Sequence, residues 1–140
     1  MKLLIALSLC LSFWTAGFGQ SELASIISRG DTTELQAFFA QGEDLNALHI
    51  QSRYTCLNFA VRTNQIEVVR WLLAQQADPN RMSNGKSALM YAAKYGRLDI
   101  AKLLIAKGAD KNLRNDKQRT ALDYARKYEQ KAMYSFLKQT

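Results

Sequence analysis

The chain has 140 residues, 48% hydrophobic and 22% charged, with one proline and no low-complexity tract. That is room for one domain, and the composition excludes a disordered or collagen-like chain. A formal charge of +7 leans toward anionic partners.

The first segment reads as an export signal. Met1-Lys2 is a short positive start, and Leu3 to Trp14 is almost wholly apolar. Gly17 and Gly19 then supply the small residues that precede a cleavage site. Residues 1–19 are therefore expected to be a signal peptide, and 20–140 the mature domain, periplasmic or secreted. The apolar run is too short for a stable membrane anchor. Leu9 stands where a lipoprotein signal carries a small residue, so no lipid is expected on Cys10. The mature chain then keeps one cysteine, Cys56, and no internal disulfide is possible. An apolar core alone must hold the domain, and Cys56 is read as part of it rather than as a reactive thiol.

After the signal, the chain aligns on itself. Thr55 to Asn80, Ser87 to Asn112 and Thr120 to Lys138 share a Thr/Ser, a leucine (Leu57, Leu89, Leu122) and a small residue (Ala60, Ala92, Ala125). Ser21 to Asn46 is a weaker copy, matching through Leu23, Gly30, Gly42, Asp44 and Asn46. Such a period signals stacked supersecondary units. The repeats are placed at about 20–46, 47–80, 81–112 and 113–140. Each reads as two short helices. Leu89, Ala92 and Ala93 mark a first helix that breaks at Tyr95-Gly96. Leu98 to Leu104 mark a more apolar second helix, ended by Lys107-Gly108. Gly30, Asn64 and Gly96 fill the interhelix turn, where a positive φ is expected. Asn64 with Glu67, and Asp31 with Glu34, have the spacing of capping boxes for the second helices. No unit buries its apolar stripe alone, so the fold class is an all-α solenoid of about four helix-turn-helix repeats. The last repeat has Glu129 in place of the turn glycine and a charged, short second helix, as a terminal cap facing water needs.

These residues resemble the ankyrin repeat. Ser87-Ala88-Leu89, Ala92-Ala93, Gly96, Leu103-Leu104 and Gly108-Ala109-Asp110-Lys111-Asn112 match its pattern, as do Val68-Val69 and Ala77-Asp78-Pro79-Asn80. The resemblance covers essentially the whole mature chain. The proline and histidine of the family's T-P-L-H are missing in every copy: Cys56-Leu57-Asn58, Ala88-Leu89-Met90 and Ala121-Leu122-Asp123. That histidine helps to lock the finger turn, so looser fingers are expected here. A short stack with an export signal looks bacterial. The resemblance implies a protein-binding module, and suggests an inhibitor or protective partner of an exported enzyme.

Catalysis needs convergent groups with tuned ionisation. The chain has one histidine, His49, in an expected finger loop, and no paired carboxylates or phosphate-cradling glycine loop. No enzyme activity, cofactor, metal or small-molecule substrate is expected. Arg29-Gly30-Asp31 spells an adhesion tripeptide, but its glycine is explained by the turn it shares with Gly96.

Family members bind through the fingers and the inner surface of the first helices, which line a concave face. Before the Thr/Ser stand Tyr54, Lys86 and Arg119. Two after the alanine of the first helix stand Arg62, Lys94 and Lys127, followed by Thr63, Tyr95 and Tyr128. Stacking sets equivalent slots side by side, so two basic rows with interleaved tyrosines are expected to bind the partner. Tyrosine and arginine are residues that interfaces favour. Phe59, Tyr91 and Tyr124 share another slot and are read as packing at the core edge. From Gln20 to Asn84 the net charge is −2; from Gly85 to Thr140 it is +8. The expected partner is an acidic protein, bound by a monomer. The alternative is an anionic polymer or membrane surface, nucleic acid or phospholipid, held by the basic C-terminal half. Redox or catalytic use of Cys56 is a third reading.

Overall fold

A computed structural model describes residues 18–48 and 53–140. The apolar leader before residue 18 and His49 lie outside the described residues. Among the described residues, eight helices follow in four pairs: α1 (Phe18–Arg29) and α2 (Thr32–Phe39); α3 (Cys56–Arg62) and α4 (Ile66–Ala74); α5 (Ala88–Tyr95) and α6 (Leu98–Ala106); α7 (Ala121–Lys127) and α8 (Lys131–Gln139). Extended pairing is confined to isolated bridges among the described residues, such as Ser83 with Lys86. Each pair is one repeat, and the first helices α1, α3, α5 and α7 stack more closely than the second helices α2, α4 and α6.

The Thr/Ser slot is the start signal of the first helices. Thr55, Ser87 and Thr120 are N-caps whose hydroxyls accept from the amides of Asn58, Met90 and Asp123. Only at Thr120 is the bond returned, by the Asp123 carboxylate, to make a full capping box. The interhelix turn takes a left-handed residue in every repeat: φ is 73° at Gly30, 61° at Asn64, 65° at Gly96 and 56° at Glu129. Glu129 thus does in the last repeat what glycine does elsewhere, at some steric cost.

The second helices are capped differently from the sequence reading. Asp31 accepts from the amides of Thr33 and Glu34, but Glu34 does not reciprocate; it pairs with Arg29. This uses all of Arg29-Gly30-Asp31 in a local turn. Asn64 is spent on the left-handed turn, so the cap of α4 falls to Gln65, which makes no side-chain cap bond. The expected Asn64–Glu67 box does not form. Gln65 instead donates Nε2 to the Ser28 carbonyl at 2.6 Å, and Gln130 donates to the Lys94 carbonyl at 3.4 Å. Each glutamine ties its repeat to a preceding one. A Cβ at Gly30 would sit 2.8 Å from the Gln65 amide oxygen, and one at Gly96 would collide with Gln130. These two glycines therefore answer both to φ and to a neighbour's side chain.

The core is one apolar seam. Ala60, Ala92 and Ala125 are fully buried where first helices meet, so small side chains set the close approach. Val68, Ile100 and Met133, with Leu72, Leu104 and Leu137, fill the layer between first and second helices. Each such residue contributes about 1.5–3 kcal/mol by leaving water. Cys56 is fully buried among them, and burial pushes its thiol up to about 12. At the rim, the Asp-x-Asn slots form a ladder. Asn46 accepts from the Asp78 amide at 2.7 Å, and Asn80 accepts from the Asp110 amide at 2.8 Å while donating to the Gly108 carbonyl. The repeat spacing is thus written into the backbone as well as the core.

Candidate functional site

The fingers are held more firmly than the missing histidine suggests. Asn58, in the histidine slot, is 1% exposed. Its Nδ2 donates to Ser83 Oγ at 2.8 Å and stands 3.1 and 3.2 Å from the carbonyls of Arg81 and Lys86. It therefore clasps the next finger, whose tip closes by paired bonds between Ser83 and Lys86. The following finger is held by Asn115, also buried. Its Oδ1 accepts from the amides of Lys117 and Arg119, and its Nδ2 donates to the Gly85 carbonyl and the Tyr124 hydroxyl. In these two fingers amide side chains supply the donors that histidine usually does, so the missing histidine does not leave them unclasped.

On this scaffold six of the eight residues singled out from the sequence form one connected surface. Arg62 lies over the Tyr54 ring, 5.3 Å from its centroid. Lys94 lies 5.0 Å from the Tyr95 centroid and 5.3 Å from that of Tyr128 in the next repeat. Lys86 bridges Tyr91 and Tyr124 at 5.6 and 5.9 Å. Tyr54 meets Tyr91 at 5.6 Å, and Tyr124 stacks on Tyr128 at 6.3 Å with the rings nearly parallel. Arg62 is also near enough to Tyr95 to act on its phenol electrostatically. The contacts close a circuit of cations and tyrosines: Tyr54, Arg62, Tyr95, Lys94, Tyr128, Tyr124, Lys86 and Tyr91. Each cation over a ring contributes about 0.5–1 kcal/mol at an exposed site.

Lys127 joins from outside, 5.5 Å from the Tyr128 centroid. Arg119 enters through its backbone, paired with Asn115, rather than through a ring contact. Tyr91 and Tyr124 are buried, as expected of core-edge residues, yet their rings complete the circuit from the first helices. Tyr128 is 38% exposed, the most open large hydrophobic side chain among the described residues.

The electrostatics follow the contacts. Burial lifts the Tyr95 phenol, but Lys94 and then Arg62 outweigh it and hold the phenol below its ordinary value. Tyr91 moves the other way: burial, then the hydrogen bond with Tyr54, holds it well above the usual phenol range. Arg62, Lys94 and Lys127 also occupy the last turns of α3, α5 and α7, where cations complement the helix dipole. Among the described residues, no group of three or more His, Cys, Asp or Glu is placed to hold a metal, and no helix is long and apolar enough to cross a membrane.

Comparison with known proteins agrees with this architecture. A family model described as "Ankyrin repeats (3 copies)" matches residues 22–115 and 83–139. The chain is 32% identical over 109 residues to a mouse B-cell lymphoma 3 protein homolog, covering 77% of this chain and 24% of that protein. It is 41% identical over 69 residues to the E3 ubiquitin-protein ligase hecd-1 of Caenorhabditis elegans, covering 49% of this chain and 3% of the ligase. Over 73 residues it is 32% identical to a mouse 2-5A-dependent ribonuclease, covering 51% and 10%. The chain thus spans a quarter or less of the curated relatives it matches. With its paired helices, left-handed turns and Asp-x-Asn ladder, the chain belongs to the ankyrin-repeat family, a family of protein-interaction modules.

Proposed function

We propose that this chain is an exported, non-catalytic binder of an acidic protein, and that the circuit from Tyr54 to Tyr128 is the surface that grips it. The observation that carries the reading is the alternation of cations and tyrosines across three stacked repeats. Cations offer charge-assisted hydrogen bonds to carboxylates, and tyrosine rings offer rigid contact area at low entropic cost. The +8 balance from Gly85 onward adds a field that steers negative partners to this end. Within the exported setting, the partner would be an enzyme that the stack inhibits or protects. The leader of residues 1–19 supports the export reading, with residence in the periplasm or outside the cell.

The test is charge reversal at two positions of the row, Lys94→Glu with Lys127→Glu. Lys127 is exposed and Lys94 half-buried, and both lie outside the apolar seam, so the circular dichroism spectrum is expected to stay unchanged. Capture of the native partner from a cell-envelope extract is expected to be lost, and in the wild type to weaken steeply with salt. Undiminished capture by the folded double variant removes the circuit from the account. N-terminal sequencing of the secreted form tests export; a chain that keeps residues 1–19 in the cytosol contradicts it. The basic C-terminal half also favours a second reading, an anionic polymer or phospholipid surface. Salt-sensitive retention on DNA, or co-sedimentation with anionic vesicles, would support that reading instead.

A further inference from the structure

We propose that what the circuit grips is an extended segment of its partner, in polyproline II geometry, with a carboxylate at every third residue. This rests on the reading of the face as a binder of acidic protein, and it adds a spacing and a conformation. The spacing comes from the stack. Arg62, Lys94 and Lys127 occupy one slot in three successive repeats, at the ends of α3, α5 and α7. Lys94 Nζ lies 5.0 Å from one tyrosine centroid and 5.3 Å from the equivalent tyrosine one repeat on. The two rings therefore stand no more than about 10 Å apart, which agrees with the 8–10 Å between packed helices. A ligand that meets each repeat alike needs like groups at about that interval, all on one side.

Few backbones supply it. Polyproline II has three residues per turn and rises 3.1 Å per residue, so residues i, i+3 and i+6 share a face about 9.3 Å apart. Along a β-strand, same-face positions recur every two residues, about 6.7 Å, and the next match is about 13 Å. An α-helix returns to the same face after seven residues, about 10.5 Å, just beyond the bound set by the two ring distances, and that face drifts by about 20° each time. Polyproline II matches the row most simply. The surface chemistry agrees. Grooves lined by aromatic rings are the usual seat of this conformation, because its preformed backbone loses little entropy on docking. Here Tyr95 and Tyr128 provide rings flanked by cations, and Tyr54 continues the surface toward the next finger. A carboxylate over Lys94 would also lie beside the Tyr95 ring, whose centroid is 5.0 Å from Lys94 Nζ.

The experiment uses the mature chain and two fluorescein-labelled peptides of the same composition, glutamate and proline in a one-to-two ratio. One has glutamate at every third position; the other has its glutamates adjacent. Affinities are measured by anisotropy at physiological ionic strength. The periodic peptide is expected to bind at least about tenfold tighter, and Lys94→Glu to weaken it by about tenfold or more while the variant stays folded by circular dichroism at the assay temperature. Equal affinity for the two peptides overturns the spacing while leaving the acidic-partner reading intact. Failure of both peptides to bind overturns the extended-segment inference, and partner capture by the charge-reversed variant then judges the broader reading alone. Tighter binding of a labelled single-stranded DNA than of the periodic peptide also overturns it.

Discussion

Replacing Asn58 with alanine tests whether the fingers are clasped from the neighbouring helix. The side chain is 1% exposed, and its Nδ2 faces Ser83 Oγ at 2.8 Å and two finger carbonyls at 3.1 and 3.2 Å. An amide has two hydrogens, so it satisfies two of these acceptors at a time. Each bond contributes about 1 kcal/mol net, and a buried acceptor left unpaired costs a further 1–3 kcal/mol. Water reaching the finger carbonyls offsets part of this, so a loss of about 3 kcal/mol is expected. Urea denaturation of the mature chain measures the global term. Hydrogen exchange at the Ser83 and Lys86 amides, which close the finger tip, measures the local one. Local detachment by about 3 kcal/mol speeds that exchange about a hundredfold. Asn58→His, which supplies the side chain usual in the family, costs clearly less. A loss below about 0.5 kcal/mol, with unchanged exchange at Ser83 and Lys86, refutes the clasp.

Gly96→Ala meets both a left-handed φ of 65° and the Gln130 side chain, whereas Gly85→Ala has a similar φ of 66° and open space. Denaturation is expected to show about 1–2 kcal/mol for Gly85→Ala and more for Gly96→Ala, with Gln130→Ala removing the excess; equal losses would refute the clash. With its thiol raised to about 12, Cys56 is expected to resist alkylation in the folded chain at pH 8, where only about one thiol in ten thousand is ionised, and to react on unfolding. Prompt labelling of native protein would contradict its burial. The backbone bond from Thr120 holds the Asp123 carboxyl below its ordinary 3.8, against a smaller opposing effect of burial. Its stabilising contribution is therefore complete above the unfolded value and lost as pH falls below it. Relative to Asp123→Asn, the wild type is expected to lose stability from about pH 5 to pH 3, and a constant difference would refute this sign.

The sequence was most legible where one residue type has one task. The Thr/Ser slot caps the first helices, Gly30 and Gly96 take positive φ, and Ala60, Ala92 and Ala125 allow close packing. It was less legible where one residue has two possible tasks. Asn64 suits both a cap and a left-handed turn, and the geometry of the helix pair assigns it to the turn. Gln65 and Gln130 look like ordinary polar residues, because their partners lie 37 and 36 residues away. Asn58 was judged by the histidine it lacks, although its amide donates in the same direction. At the face, the rows could be aligned from slot spacing, so Lys94 and Tyr128 were found together. That the buried Tyr91 and Tyr124 close the circuit depends on side-chain directions, which slot spacing does not specify.

The most direct test of the account is a hydrogen-exchange footprint of the mature chain with its captured partner. Slowed exchange concentrated in the fingers and along the C-terminal turns of α3, α5 and α7, from Arg62 to Tyr128, is the predicted result. Protection centred on the second helices α4, α6 and α8, with the fingers unchanged, would contradict it.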